Sequence, residues 1–188
     1  MPARSIATRT GDAGDTGLLY GGRIRKTDLH IEACGAGDEA VSAMGLARSL
    51  SQDSWVKEQL LQVQRDMFTV NAELATDAGS RHLLEKHFDT VTPAMTGRVE
   101  ALLARLESEV RIPQSFIIPG ASPASSAMDL ARTVVRRTER AAIALADSGK
   151  LANDEVLRYL NRLSDCIFML ARYEDRELPF EALTGDRQ

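Results

Sequence analysis

Residues 56–74 read V-K-E-Q-L-L-Q-V-Q-R-D-M-F-T-V-N-A-E-L, and along them Val56, Leu60, Val63, Met67, Val70 and Leu74 step by four and three residues without interruption. That spacing follows the period of an amphipathic helix, and a stripe of this length reads as the seam of a helix bundle. The pattern returns from about Asn153 to Tyr173, where Val156, Leu160, Leu163, Ile167 and Leu170 keep the same rhythm. Thr92-Pro93 has the form of an N-cap followed by proline at the first helical position, and Met95, Val99, Leu102, Leu103 and Leu106 then line one side until Arg111-Ile112-Pro113. An apolar connector holding Phe116, Pro119 and Gly120 leads into a further helix from about Pro123 to Asp147. The first helix is expected from about Gly37 or Asp38 to Leu50, with Asp38 as its N-cap or first-turn acid. Arg81 to Val91 reads as a loop holding one helical turn. Five helices with almost no strand pattern predict an all-α five-helix bundle.

A chain of 188 residues that is 44% hydrophobic can bury one substantial core, so residues 1–188 are expected to form a single domain, with a glycine-rich N-terminal loop region over 1–33 and a polar tail over 174–188. The net charge of −4 argues against an extended nucleic-acid surface but leaves room for a small basic pocket. Cys34 and Cys166 lie far apart in apolar settings with no C-x-x-C pair, and read as buried thiols of a reducing compartment. The N-terminus carries no signal-like apolar region, and no apolar run approaches the length of a membrane span. A soluble cytoplasmic protein, with neither nucleic acid nor membrane as partner, is the expectation.

Two stretches carry chemistry. Within A-R-T-V-V-R-R-T-E-R at 131–140, Arg132, Arg136 and Arg140 stack at i, i+4 and i+8, with Arg137 on one flank and Glu139 beside them. Like charges so spaced cost an isolated helix about 0.2–0.5 kcal/mol per pair, so something anionic is expected to complete the column. A solvated face or an inter-helix salt-bridge lattice would serve, and so would a polyphosphate, whose oxygens guanidinium groups bind bidentately. The second stretch, T-R-T-G-D-A-G-D-T-G-L-L-Y-G-G-R-I-R-K at 8–26, has five glycines, hydroxyls at Thr8, Thr10 and Thr16, and positive charge at Arg9, Arg23 and Lys26. It matches neither a Walker A loop nor a dinucleotide-binding fingerprint. It reads either as a phosphate-wrapping loop or as a flexible glycine-rich arm. On the last helix Asn161, Asp165 and Phe168 form a stripe beside the apolar seam; Asp165 suits a bridge to an arginine of another helix, whereas Asn161 is harder to explain that way.

Three separated stretches, the loop at 8–26, F-I-I-P-G at 116–120 with A-R-T-V-V-R-R-T-E-R at 131–140, and Y-L-N-R-L-S-D-C-I-F-M-L-A-R at 159–172, together resemble the propanediol-utilisation type of ATP:cob(I)alamin adenosyltransferase, in order and over nearly the whole chain. The resemblance implies a homotrimer with active sites at subunit interfaces. It implies transfer of the 5′-deoxyadenosyl group from ATP to the cobalt of a reduced corrinoid, cob(I)alamin, giving adenosylcobalamin and triphosphate with Mg²⁺ as cofactor. It implies an ATP-binding role for Thr8, Arg9, Thr10, Gly11, Thr16, Gly17 and Lys26, a helical nucleotide site at Arg136, Arg137, Glu139 and Arg140, with Glu139 at the metal or ribose, and a further nucleotide contact at Asn161. Asp38 and Arg132 resemble the pair that bridges subunits and positions the corrinoid, and Phe116 resembles the aromatic that fills its lower face. A corrinoid reductase and an adenosylcobalamin-dependent enzyme are the partners such an activity would need.

Residue by residue, Phe116 also fits a core position beside Ile117 and Ile118, and Asp38 also fits a helix cap. The chain departs from the family pattern at Val41, where D-E-L-N would place asparagine, at Ala121 in place of a second glycine, and at Asp129 in place of histidine. Asp129, three residues before Arg132, is expected to pair with that arginine and compete with Asp38. These departures cluster on the corrinoid side, so a catalytically weak paralogue that carries or senses ATP or corrinoid is the competing reading.

Overall fold

The computed structural model describes residues 7, 9–179, 181 and 183. A small antiparallel hairpin pairs β1 (Asp15–Gly17) with β2 (Arg23–Arg25), Thr16 opposite Ile24. Six helices follow: α1 (Leu29–Leu50), α2 (Ser54–Leu74), α3 (Arg81–His87, entered through a 3₁₀ turn at Ala78–Ser80), α4 (Pro93–Glu109), α5 (Pro123–Asp147) and α6 (Glu155–Glu174). The fold is predominantly helical, as expected, but the expected count of five omits α3. That segment buries one apolar side chain, Leu84, too few to write a helical period into the sequence.

The apolar stripes do what their spacing requires. On α6, Val156, Tyr159, Leu160, Leu163, Cys166, Ile167 and Leu170 are all fully buried, meeting α5 on one side and α4 on the other. On α2, all six residues of the quoted stripe are in the core. The α2–α4–α6 contact also encloses a polar group: Asp66 accepts hydrogen bonds from the Tyr159 hydroxyl at 3.1 Å, Gln62 at 3.0 Å and Arg98 at 3.2 Å, which satisfies a carboxylate that burial would otherwise penalise.

Helix α1 begins nine residues before the expected start at Asp38, because its real cap is Asp28, whose carboxylate accepts the His30 amide at 3.0 Å. The first three turns escape a periodicity reading because, apart from His30, the residues they bury are small. Ala33, Ala36, Gly37 and Ala40 let α1 lie close against α5 and α2, its principal neighbours. Cys34 and Cys166 are free thiols, and burial pushes both up to about 12, so neither is a ready nucleophile. The tail does not simply end the domain. Glu174 accepts from Ser51 at 2.8 Å, Arg176 pairs with Asp53 at 3.1 Å, and the Leu183 amide donates to the Phe116 carbonyl at 2.8 Å.

Ile167→Ala, which empties a fully buried site on α6, is expected to cost about 2–5 kcal/mol, read as a lower urea midpoint with unchanged m-value. A second expectation concerns acid. The Lys150 ammonium and the His30 amide hold the Asp28 carboxyl below the usual carboxylate range; at Asp53 burial opposes the charge, but the Val56 and Trp55 amides and Arg176 outweigh it. Both groups bind a proton less tightly folded than unfolded, so their stabilisation is present above the ordinary carboxylate value and is lost as pH falls below it through the lower folded-state value. Thermal melts of Asp28→Asn/Asp53→Asn should lose less of their stability than wild type between about pH 5 and pH 3.

Candidate functional site

The glycine stretch is a built loop rather than a flexible arm. The Arg23 guanidinium donates to the carbonyls of Thr10 at 2.6 Å and Asp15 at 3.2 Å, and Arg25 donates to the Ala13 carbonyl at 3.2 Å and the Asp15 carboxylate at 3.1 Å. Arg23, which the sequence offered as free charge, is therefore spent on holding the loop. Gly14 has φ +87°, a conformation that favours glycine, and the Lys26 ammonium lies so near Gly11 that a Cβ there would sit 3.1 Å from it. Arg9 adopts φ 58° and is exposed. Thr8 lies outside the described residues. The loop is moored to the end of α2, the Leu19 amide donating to the Ala75 carbonyl and the Asp77 amide to the Tyr20 carbonyl, each at 2.9 Å. Lys26, Thr10 and Gly17 face solvent on this frame, and Thr16 is half-buried in the strand pair.

On α5 the apolar face, including Met128, Ala131, Val135, Ala142 and Leu145, is buried, and Arg136, Arg137 and Arg140 consequently point outward. Arg137 pairs with Glu39 of α1, both side chains about half exposed, so the bridge is weak and readily exchanged for a stronger anion. Arg140 donates to the Arg136 carbonyl at 3.0 Å; among the described residues no carboxylate pairs with Arg136, Arg140 or Lys26. Asp38, Glu39, Ser42, Ala43, Leu130 and Val134 border the same arginine face along an open groove of about 530 Å³ between α1 and α5. On the α6 side, Asn161 donates to Glu139 at 2.9 Å and accepts from Arg162 at 2.7 Å, so the amide orients the carboxylate beside the arginines.

Four expectations change. Asp129 pairs with Arg172 of α6, Nη2 to Oδ2 at 2.5 Å, and not with Arg132: both partners are buried, and an unpaired Arg172 in that position would be costly. Arg132 instead lies with its guanidinium 5.6 Å from the centre of the Phe168 ring, on which Arg172 also rests at 5.1 Å, and its buried Nε has no hydrogen-bond partner among the described residues. Asp38 is not a helix cap; it accepts from Asn71 of α2 at 2.9 Å. Phe116 is not core, being 82% exposed, and Asp165 is exposed and forms no arginine bridge among the described residues. Asn71 and Arg172 carry no sequence signal of a site role, because only the crossing of α1 with α2 and of α5 with α6 brings Asn71 beside Asp38, and Arg172 with Phe168 of the stripe beside Arg132.

The loop and the Phe116 connector lie at opposite ends of α5. The Asp28–Lys150 bridge at 2.8 Å places the loop end of α1 beside the end of α5, whereas the Phe116 connector enters α5 at its start. An α5 of 25 residues separates these ends by about 35 Å.

The sequence model of the cobalamin adenosyltransferase family matches residues 6–174. A corrinoid adenosyltransferase of Citrobacter freundii is 37% identical over 171 residues, covering 90% of this chain and 94% of that protein. One from Mycobacterium tuberculosis is 38% identical over 171 residues, covering 89% and 86%. Among solved structures, a variant PduO-type ATP:corrinoid adenosyltransferase from Lactobacillus reuteri, complexed with cobalamin and ATP, superposes with a TM-score of 0.86 at 30% identity, covering 96% of this chain and 97% of that one. A match that runs through loop, arginine helix and last helix alike places this chain in the cobalamin adenosyltransferase family.

Proposed function

We propose that this chain is an ATP:corrinoid adenosyltransferase working as a homotrimer, in which the loop of one subunit faces the arginines of its neighbour. The observation that carries the reading is the exposed Arg136–Arg137–Arg140 face, whose positive charge the carboxylates among the described residues leave largely unanswered. The triphosphate of ATP supplies the missing anion. In the reaction the electron pair of cob(I)alamin attacks C5′ of the ribose, the C5′–O bond breaks, and triphosphate leaves with that bond's electrons. Arg136, Arg137, Arg140, Lys26, Arg9 and the hydroxyls and amides of Thr8, Thr10, Gly11, Thr16 and Gly17 stabilise the charge that develops on it. The protein needs no nucleophile of its own, since the attacking atom belongs to the corrinoid.

Glu139, its orientation set by Asn161, has a second oxygen to offer the ribose or a cation. No cluster of three metal-ligating side chains exists among the described residues. This fits Mg²⁺ arriving with the nucleotide and taking one carboxylate from the protein; bound there, it would neutralise phosphate charge. Arg132 and Asp38 serve the corrinoid side. Phe116, an aromatic left in water, gains about 1.5–3 kcal/mol on being covered, and the lower face of a corrin is a surface that would cover it while excluding an axial base. The separation of about 35 Å between loop and connector supports sites shared between subunits. A corrinoid reductase upstream and an adenosylcobalamin-dependent enzyme downstream are the implied partners. No helix among the described residues is long and apolar enough to cross a membrane.

Anaerobic incubation with ATP, Mg²⁺ and chemically reduced corrinoid should yield the cobalt–carbon product; tight ATP binding without product would establish the carrier reading instead. Arg137→Ala should lower kcat/KM for ATP by about 10²-fold or more while moving the melting temperature little, because the side chain is exposed. Mixing inactive Lys26→Ala chains with inactive Arg137→Ala chains should restore activity, since mixed trimers contain intact loop–arginine interfaces; no recovery after subunit exchange would place both residues in one chain's site. Phe116→Ala should reduce kcat far more than it raises the KM for ATP, and equal losses would argue against a corrinoid-facing role.

A further inference from the structure

Asp38 projects into solvent from the middle of α1, and nothing on its own helix steadies it. Residues 34–42 contain no side-chain amide, and the Ser42 hydroxyl is occupied by the Asp38 backbone carbonyl at 2.9 Å. The carboxylate is held from the neighbouring helix, Asn71 Nδ2 donating to Oδ1 at 2.9 Å, the single side-chain hydrogen bond to this group among the described residues.

Asn71 reaches Asp38 through a gap of one residue's making. A Cβ built on Gly37 would lie 2.0 Å from Asn71 Oδ1, 2.9 Å from its Cγ and 3.2 Å from its Nδ2. The flat amide therefore lies over the bare Cα of Gly37, and any other residue at 37 would expel it. Glycine is a poor choice for the interior of a helix, and Gly37 is buried in the interior of α1, so its presence there has this packing reason. The orientation of the amide also follows. Asn71 Oδ1 is buried without a partner among the described residues, and the reversed amide would set that oxygen against a carboxylate oxygen. Nδ2 must face Asp38.

We infer that Asn71 is a positioning residue for Asp38, that Gly37 is the vacancy through which it acts, and that the two form one functional unit on the corrinoid side of the site. With Oδ1 held by Asn71, the side chain loses rotamer freedom before ligand arrives, and Oδ2 remains available on the groove that Glu39, Leu130 and Arg137 also border. This rests on the assignment of Asp38 to the corrinoid made above.

Steady-state kinetics with the full-length protein, varying corrinoid and ATP separately, test the pair, with Asp38→Asn as reference. Asn71→Ala should raise the KM for corrinoid by about tenfold, the lower end of what one hydrogen bond to a charged group is worth, and leave the KM for ATP unchanged. Gly37→Ala, which adds one methyl group, should reproduce that split, and the double variant should be no worse than either single one. A general packing defect would shift both KM values and the melting temperature together, and would overturn the inference. If Asp38→Asn raises the corrinoid KM while Asn71→Ala and Gly37→Ala do not, the positioning role alone is wrong. If Asp38→Asn leaves the corrinoid KM unchanged, the assignment of Asp38 fails and takes this role with it.

Discussion

The burial of one face of α5 is the constraint from which the rest of the site follows. Met128, Ala131, Val135, Ala142 and Leu145 are inside, so a helix of fixed pitch has no choice about where Arg136, Arg137 and Arg140 emerge. Apolar transfer fixes the helix's rotation with many small contributions, and the arginine face is carried outward against its own repulsion. Glu39 answers part of that repulsion from α1, in a bridge exposed enough to be given up when a better anion arrives.

The same helix treats its buried charges differently from its exposed ones. Asp129 and Arg172 are closed off from water together, and neither could be removed alone without leaving a charge unpaired. This lock sits one turn before Arg132 and shares the Phe168 ring with it, so the half-buried arginine rests against a rigid surface while its three exposed neighbours remain adjustable. The loop is held by comparable means. Arg23 and Arg25 spend their guanidinium groups on carbonyls, and Lys26 is exposed with no carboxylate partner among the described residues. Basic residues close together in sequence thus divide between those that hold the loop and those left exposed, and the hydrogen-bond demand of a turn-rich backbone decides which is which.

Much of this was legible in the chain alone. The stripes of α2 and α6, the proline start of α4 and the span of α5 follow from periodicity and capping chemistry, because large apolar side chains at helical spacing have few other ways to leave water. The arginine ladder was legible for the same reason. The early turns of α1 were not, since helices that meet through alanine and glycine write no hydrophobic period, and α3 was not, since one buried leucine makes no pattern.

What tertiary structure alone decided are the partnerships. Asp129 is three residues from Arg132 and binds Arg172, forty-three residues away; Asp38 is bound by Asn71, thirty-three residues away, over a glycine whose purpose is invisible until two helices cross. Sequence spacing determined which faces these side chains share, because that depends on one helix and its pitch. Which group answers which depends on how helices pack, and on the cost of a buried charge or amide left without a partner.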